Sequence, residues 1–279
     1  MSSDKFVRTE QRGSVRVIRL VDERKRNALS YELRRDFSEA FYAAAGDPDV
    51  RALYITGTGS AFCSGGDLRM MRDEGDAWAS HLRLGRTGRW LMDLMRCPKP
   101  VVVGVNGLAV GGGIGLAVAG DVVYAGEQDA KFMSGFMRLG LLPDIGMMYT
   151  LPRLVGMTRA RSFVYEQQTW SARQAEEYGL ITAAVPDDDL EERGLERAAA
   201  LAAGPIEGFG LAKQLMARSF ESSLEEMMTL EDFGQSLAYQ TESGREGIAA
   251  LTERREPDFV SASERENARK IERSRQEAQ

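Results

Sequence analysis

Twenty consecutive residues, Val101 to Gly120, carry no charge, and what interrupts them decides what the chain can fold into. A run of that length could cross a bilayer as a helix. Asn106-Gly107 inside it is a strong turn signal, however, and a glycine triplet, Gly111 to Gly113, follows. A strand, a turn and a short buried helix account for the run better than a span. Val101-Val102-Val103 fits a strand covered on both faces, Ile114 to Ala119 a small-residue helix, and Val122 to Ala125 the next strand. Seven of the chain's 29 glycines are concentrated between Gly104 and Gly120, as a backbone's are where it must approach something closely.

The flanking sequence repeats the strand–helix order. Ser14 to Leu20 predicts a strand, and Ser30 a helix N-cap followed by Leu33, Phe37, Phe41 and Ala44 at helical spacing. Val50 to Thr56 predicts a second strand, ending in a loop at Gly57 to Ser60. Trp78 to Arg96 predicts a helix with Leu82, Leu84, Trp90, Leu91 and Leu94 on its apolar side, stopped by Pro98 and Pro100. Ser171 with Gln174 has capping-box form, and Ile181 to Val185 predicts another strand. This order implies an α/β fold with crossover connections. From Pro205 the pattern turns wholly helical, over 205–218, 222–240 and 244–255, with a second capping box at Ser223 and Glu226. Residues 261–279 are almost entirely polar and charged, a solvated helix or a frayed tail. The expected organisation is a core over 1–204 and a helical region over 205–279.

Several function classes fall away on composition. A net charge of −6 disfavours general binding to nucleic acid, although local groups such as Arg24-Lys25-Arg26, Arg69 and Arg72 could meet a phosphorylated small molecule. Cys63 and Cys97 form no disulfide framework, which fits a reducing compartment. No apolar stretch of secretory type opens the sequence, so the expectation is a cytoplasmic protein without a membrane segment.

Two constellations carry chemistry. Ala61 to Leu68 (AFCSGGDL) follows the second strand, and Asn106 to Gly113 (NGLAVGGG) follows the Val101 strand. Both sit at strand carboxyl ends, where α/β sheets place ligands. Two N–H groups from two such turns can converge on one carbonyl oxygen and stabilise negative charge there. Neither a dinucleotide fingerprint nor a phosphate-binding G-K-[ST] motif is present.

AFCSGGDL, NGLAVGGGIGLAVAGDVVYA, RKRNALS and the stretch from GLLPDIG to LPRLVG together resemble the enoyl-CoA hydratase/isomerase (crotonase) family, in family order over most of residues 13–185. The resemblance implies a crotonase-like spiral of ββα repeats and a C-terminal helical trimerisation region. It implies an acyl-CoA thioester substrate, with coenzyme A part of that substrate and no metal or other cofactor, and a homotrimer or dimer of trimers. It places the oxyanion donors at the N–H groups of Gly66 and Gly112. The coenzyme A part would border Arg24, Arg26 and Ala28, together with Ser64, Gly65, Asp67 and Leu68, and Val110, Gly111 and Phe136 would also bind the substrate.

The same resemblance bears on the reaction. Related hydratases carry one glutamate two residues after the glycine triplet and a second four residues after the aromatic that opens the next segment. Those positions are Gly115 and, counting from Phe132, Phe136. The remaining carboxylate is Asp144, in Leu142-Pro143-Asp144-Ile145-Gly146. Taken locally it reads as an N-cap. In family context it is the candidate acid/base, in an apolar pocket to which Met70, Met71, Met133, Phe136 and Met147 are candidates. The expected activity is an enoyl-CoA isomerase with Asp144 moving the proton. A hydratase, also with Glu127 as its carboxylate, a thioester hydrolase with Asp144 as nucleophile, and a non-catalytic acyl-CoA binder stay open. His81, Cys63 and Asp121 read as surface, buried filler and structural residues respectively.

Overall fold

A computed structural model describes residues 5–73 and 76–277. The chain opens on a hairpin, β1 (Val7–Arg12) antiparallel to β2 (Val15–Leu20), and α1 (Tyr31–Gly46) follows. Ser30 caps α1 as expected, its Oγ accepting from the Leu33 N–H at 3.2 Å. The periodic Leu33, Phe37, Phe41 and Ala44 are all buried. The first strand had no sequence signal because only Val7 of its six residues is buried.

The chain then spirals. β3 (Ala52–Gly57) leads through a loop into β4 (Ala61–Cys63), α2 (Leu68–Asp73) and α3 (Ala77–Arg96). β5 (Val101–Val105) leads into β6 (Leu108–Val110) and α4 (Gly112–Ala117). β7 (Val122–Gly126) leads into β8 (Lys131–Met133), then α5 (Met147–Val155) and α6 (Met157–Tyr165). The first strand of each pair lies in a six-stranded sheet of order β1-β2-β3-β5-β7-β10, the second in a four-stranded sheet of order β4-β6-β8-β9. β9 (Thr169–Ser171), α7 (Ala172–Glu177), β10 (Ala183–Val185) and α8 (Leu190–Ala202) complete these layers. The result is the expected α/β spiral of ββα repeats.

This corrects one expectation. Neither glycine turn comes directly off the long strand before it, since a three-residue strand of the second sheet intervenes in each case. Those strands are too short for side-chain alternation to reveal them. Leu82 and Leu84 are a second correction: they are exposed, and the buried face of α3 is Thr87, Trp90, Leu91 and Leu94.

Among the described residues, the regular elements after Pro205 are all helices: α9 (Ile206–Met216), α10 (Leu224–Ala238), α11 (Glu242–Glu253) and α12 (Phe259–Glu277). The charged tail is therefore helical through residue 277. Both capping boxes form. Asp121 joins the two parts, accepting from the Val101 N–H and from Lys213 Nζ of α9, each at 2.8 Å. Among the described residues, no helix is long and apolar enough to cross a membrane.

Candidate active site

The first turn leaves β4 at Cys63. Gly65 has φ +83°, a left-handed conformation, and a Cβ there would stand 2.6 Å from the Val110 carbonyl oxygen and 3.5 Å from the Gly112 nitrogen. The two glycine turns thus pack directly on one another, and only glycine fits at that contact. The RKRNALS segment holds the turn from its other side. Arg26 (φ +51°) and Asn27 (φ +54°) are both left-handed, and buried Asn27 donates from Nδ2 to the carbonyls of Thr58 (3.1 Å) and Ala61 (2.8 Å). The Ser64 N–H donates to the Arg26 carbonyl at 3.0 Å, and the Leu29 N–H to the Gly65 carbonyl at 2.7 Å.

Asp67 closes the turn as the expected cap. Its Oδ1 accepts from the N–H groups of Arg69 (3.0 Å) and Met70 (3.3 Å), and its Oδ2 meets Lys25 Nζ at 2.9 Å. Burial acts to raise the Asp67 pKa, but the Lys25 ammonium and the two N–H groups together hold it below the ordinary carboxylate value.

In the second turn Gly111 adopts φ +51°, ψ −117°, and a Cβ there would stand 3.3 Å from the Phe136 ring. Helix α4 then opens at Gly112, and the first N–H groups of a helix have no partner within it. Among the described residues, no turn or loop hydrogen bond uses the Gly66 or the Gly112 N–H. Both glycines line one cavity of about 220 Å³.

Asp144 lines the same cavity, partly buried. Its Oδ1 is 3.6 Å from the point where a Cβ on Gly112 would stand. It is not a helix cap: α5 begins at Met147, with Gly146 in the cap position and no side-chain cap. The turn runs instead through Ile145 at φ +49° and Gly146 at φ +74°. A β-branched residue in the left-handed region costs about 1–3 kcal/mol, a strain found where surrounding packing fixes a functional group. Ile145 also closes the position of Gly115, where a Cβ would stand 2.2 Å from the Ile145 carbonyl oxygen. There is no room at residue 115 for any side chain, and residue 136 is a buried phenylalanine.

Burial pushes the Asp144 carboxyl above its ordinary value, and the guanidinium groups of Arg83 and Arg34 oppose that rise. Both arginines line the cavity, Arg34 from α1 and Arg83 from α3. The sequence reading missed them as lining residues, along with Leu29, Leu84, Leu142 and Ile145. Met71 was one of five apolar candidates, but its position over Gly66, where its Cε would stand 2.2 Å from an added Cβ, had no sequence signal.

Ser64, Gly65, Leu68, Val110, Gly111 and Phe136 also line the cavity. Arg24, Arg26, Ala28 and Asp67 do not. Arg24 lies on a separate surface depression beside β1, Arg26 is exposed and contributes its carbonyl to the first turn, and Ala28 is buried beneath that turn. Of the apolar candidates, Phe136 and Met71 line the cavity, Met70 lies in a neighbouring groove, Met133 is on β8 and Met147 is in the core. Glu127 pairs with Arg173 at 2.8 Å, away from the cavity. His81 is exposed and stacks on Trp78, and burial pushes the Cys63 thiol up to about 12, which suits a filler and not a nucleophile.

Comparison with known proteins agrees with this geometry. The family model described as enoyl-CoA hydratase/isomerase matches residues 10–262. A probable enoyl-CoA hydratase from Rhodobacter capsulatus is 39% identical over 91% of the chain and 97% of its own length. A 1,2-epoxyphenylacetyl-CoA isomerase from Escherichia coli is 34% identical over 91% of the chain and 98% of its own length. A crystal structure of an enoyl-CoA hydratase/isomerase from Cupriavidus metallidurans superposes with a TM-score of 0.86 at 30% identity, covering 93% of this chain and 97% of that one. The paired glycine turns, the ββα spiral and these matches together make the chain a member of the enoyl-CoA hydratase/isomerase family, enzymes that act on CoA thioesters.

Proposed function

We propose that the protein is an enoyl-CoA isomerase that moves a double bond along the acyl chain of a CoA thioester. The observation that carries this reading is the place of Asp144. It is a partly buried carboxylate beside Gly112, while the two positions at which related hydratases carry glutamates are Gly115, filled by the Ile145 backbone, and Phe136.

The thioester carbonyl oxygen accepts hydrogen bonds from the Gly66 and Gly112 N–H groups. The Asp144 carboxylate takes a proton from C2 of a 3-enoyl thioester, and the electron pair moves into a dienolate whose oxygen those N–H groups stabilise. The same carboxyl, now protonated, returns the proton to C4, and the product is the 2-enoyl thioester. One base serves both steps, and no other co-reactant is consumed. Each oxyanion donor contributes roughly two to three powers of ten in rate, and proton transfer by a positioned carboxylate about two to four more. Water addition needs a further group to activate the water, which is what the closed Gly115 and apolar Phe136 positions do not supply.

The remaining expectations attach to this reading. The first glycine turn and the Arg26 segment stitched to it border the coenzyme A part. Leu224, Phe233, Leu237 and Leu251 are exposed on the helices after Pro205, apolar surface that assembly as a homotrimer or dimer of trimers could cover. The test is turnover by the wild-type protein of matched 3-enoyl-CoA and 2-enoyl-CoA substrates, with thioester hydrolysis followed in parallel. Conversion of 3-enoyl to 2-enoyl thioester as the fastest reaction is expected. Faster formation of a 3-hydroxyacyl thioester or of free CoA would overturn the isomerase reading.

A further inference from the structure

A groove of about 760 Å³ runs between α1 and α3, apart from the glycine turns. Trp90 lines it from a buried position, and Tyr42, Leu82 and Met92 stand exposed along it. Arg86, Arg89 and Arg96 line it too, exposed on one face of α3, and among the described residues none of the three is in an ion pair. Like charges on one helix face repel. This face of α3 is therefore complementary to an anionic surface that also carries apolar side chains.

The chain carries such a surface on α10. That helix has four carboxylates, Glu225, Glu226, Glu231 and Asp232, and no basic residue. It packs against α9, and Gly234 is its one buried residue. Met227, Leu230 and Gly234, less exposed than their neighbours, mark the packed stripe at i, i+3 and i+7. Glu225, Met228 and Asp232 lie on the opposite face at the same spacing, all exposed. Arg89, Met92 and Arg96 repeat that spacing on α3. The outer residues of both sets are about 10.5 Å apart along the helix axis. A carboxylate can thus meet a guanidinium at each end, with two adaptable methionines between them.

We propose that α10 of one copy of this chain docks in the α1–α3 groove of a second copy, pairing Glu225 and Asp232 with Arg89 and Arg96 across the interface. The two surfaces are different patches, so the contact is heterologous, and repetition about an axis closes it into a ring. The inference rests on the proposed homo-oligomeric assembly and not on the reaction at Asp144. Helix α3 also lines the Asp144 cavity through Leu84, so the neighbouring copy braces an element of the active site.

The test is analytical ultracentrifugation of the full-length protein over a concentration series, without substrate. The wild-type protein is expected to sediment as an oligomer. Arg89→Glu combined with Arg96→Glu is expected to raise the dissociation constant at least about tenfold, the scale of close charge pairs across an interface. Glu225→Arg combined with Asp232→Arg is expected to do the same. All four side chains are exposed, so the fold of each variant, checked by circular dichroism, is expected to be unchanged. All four reversals in one chain rebuild the pairs with their signs exchanged, and assembly is expected to return. Wild-type assembly that neither pair of reversals weakens would overturn the docking and leave the homo-oligomer reading standing. A fourfold variant that stays dissociated would overturn the pairing of these residues. A wild-type protein that is monomeric at every concentration would overturn both readings and leave the groove to a foreign acidic partner.

Discussion

Asp144 Oδ1 stands 3.6 Å from the point that a Cβ on Gly112 would occupy, so the proposed base and a proposed oxyanion donor, from separate segments, share one cavity. The contact depends on Ile145, whose left-handed backbone folds the Asp144 turn back over α4. It also depends on Gly115, since only a bare backbone there lets the Ile145 carbonyl approach so closely.

Gly115→Ala is therefore expected to damage catalysis through position, not through lost chemistry. A Cβ 2.2 Å from the Ile145 carbonyl oxygen must push the turn away. Because about 1 Å of misplacement can cost a hundredfold in rate, kcat is expected to fall by about that factor while KM changes little. Steady-state kinetics on a 3-enoyl-CoA check this. Gly115→Glu is expected not to produce a hydratase, and 3-hydroxyacyl-CoA formation by that variant would contradict the geometry.

If Asp144 is the base, its charge state is expected to set the acid limb of activity. Burial raises its pKa above the ordinary carboxylate value and Arg83 and Arg34 oppose the rise. The base must be ionised, so kcat/KM is expected to fall as pH drops through that raised value. Arg83→Met removes one opposing charge and is expected to move the limb to higher pH. A pH–rate profile whose limb stays in place would contradict the role given to Arg83.

The same raised pKa has a consequence for stability. Between the unfolded and the folded pKa the native state holds the extra proton, so the stability contributed by this group falls as pH rises through that window. Above the window the ionised carboxylate is a net cost. Asp144→Asn is thus expected to melt at or above the wild-type temperature at neutral pH, an advantage that vanishes in acid. Thermal melts across pH measure it.

Asp67 is expected to matter through the shape of the first turn. Asp67→Ala removes the acceptor of the Arg69 and Met70 N–H groups and is expected to cost about 1 kcal/mol, within the usual range for a lost cap. Asp67→Asn keeps the cap and loses the ion pair with Lys25, whose ammonium is largely exposed, so its cost is expected to be smaller. Denaturant titration of both variants distinguishes the two contributions.

What was legible in the sequence was local. Ser30, Ser171 and Ser223 mark helix starts within a few residues, and the glycines of both turns announce backbone that side chains would block. Asp144 stood out because the carboxylates expected nearby were absent. Arg34 and Arg83 gave no such signal: they are 49 residues apart and share a wall only because α1 packs beside α3. β4 and β6 were hidden for another reason, since three residues show no alternation, and Ile145 looked like an ordinary apolar residue until its φ was known.

The central claim is that Asp144 is the single acid/base, and turnover of a 3-enoyl-CoA by Asp144→Asn tests it most directly, with binding of a saturated acyl-CoA measured on the same preparation. The account predicts that binding is retained and that conversion to the 2-enoyl thioester falls by at least about 10³-fold. An Asn variant that binds the thioester and isomerises at a rate close to wild type would contradict it.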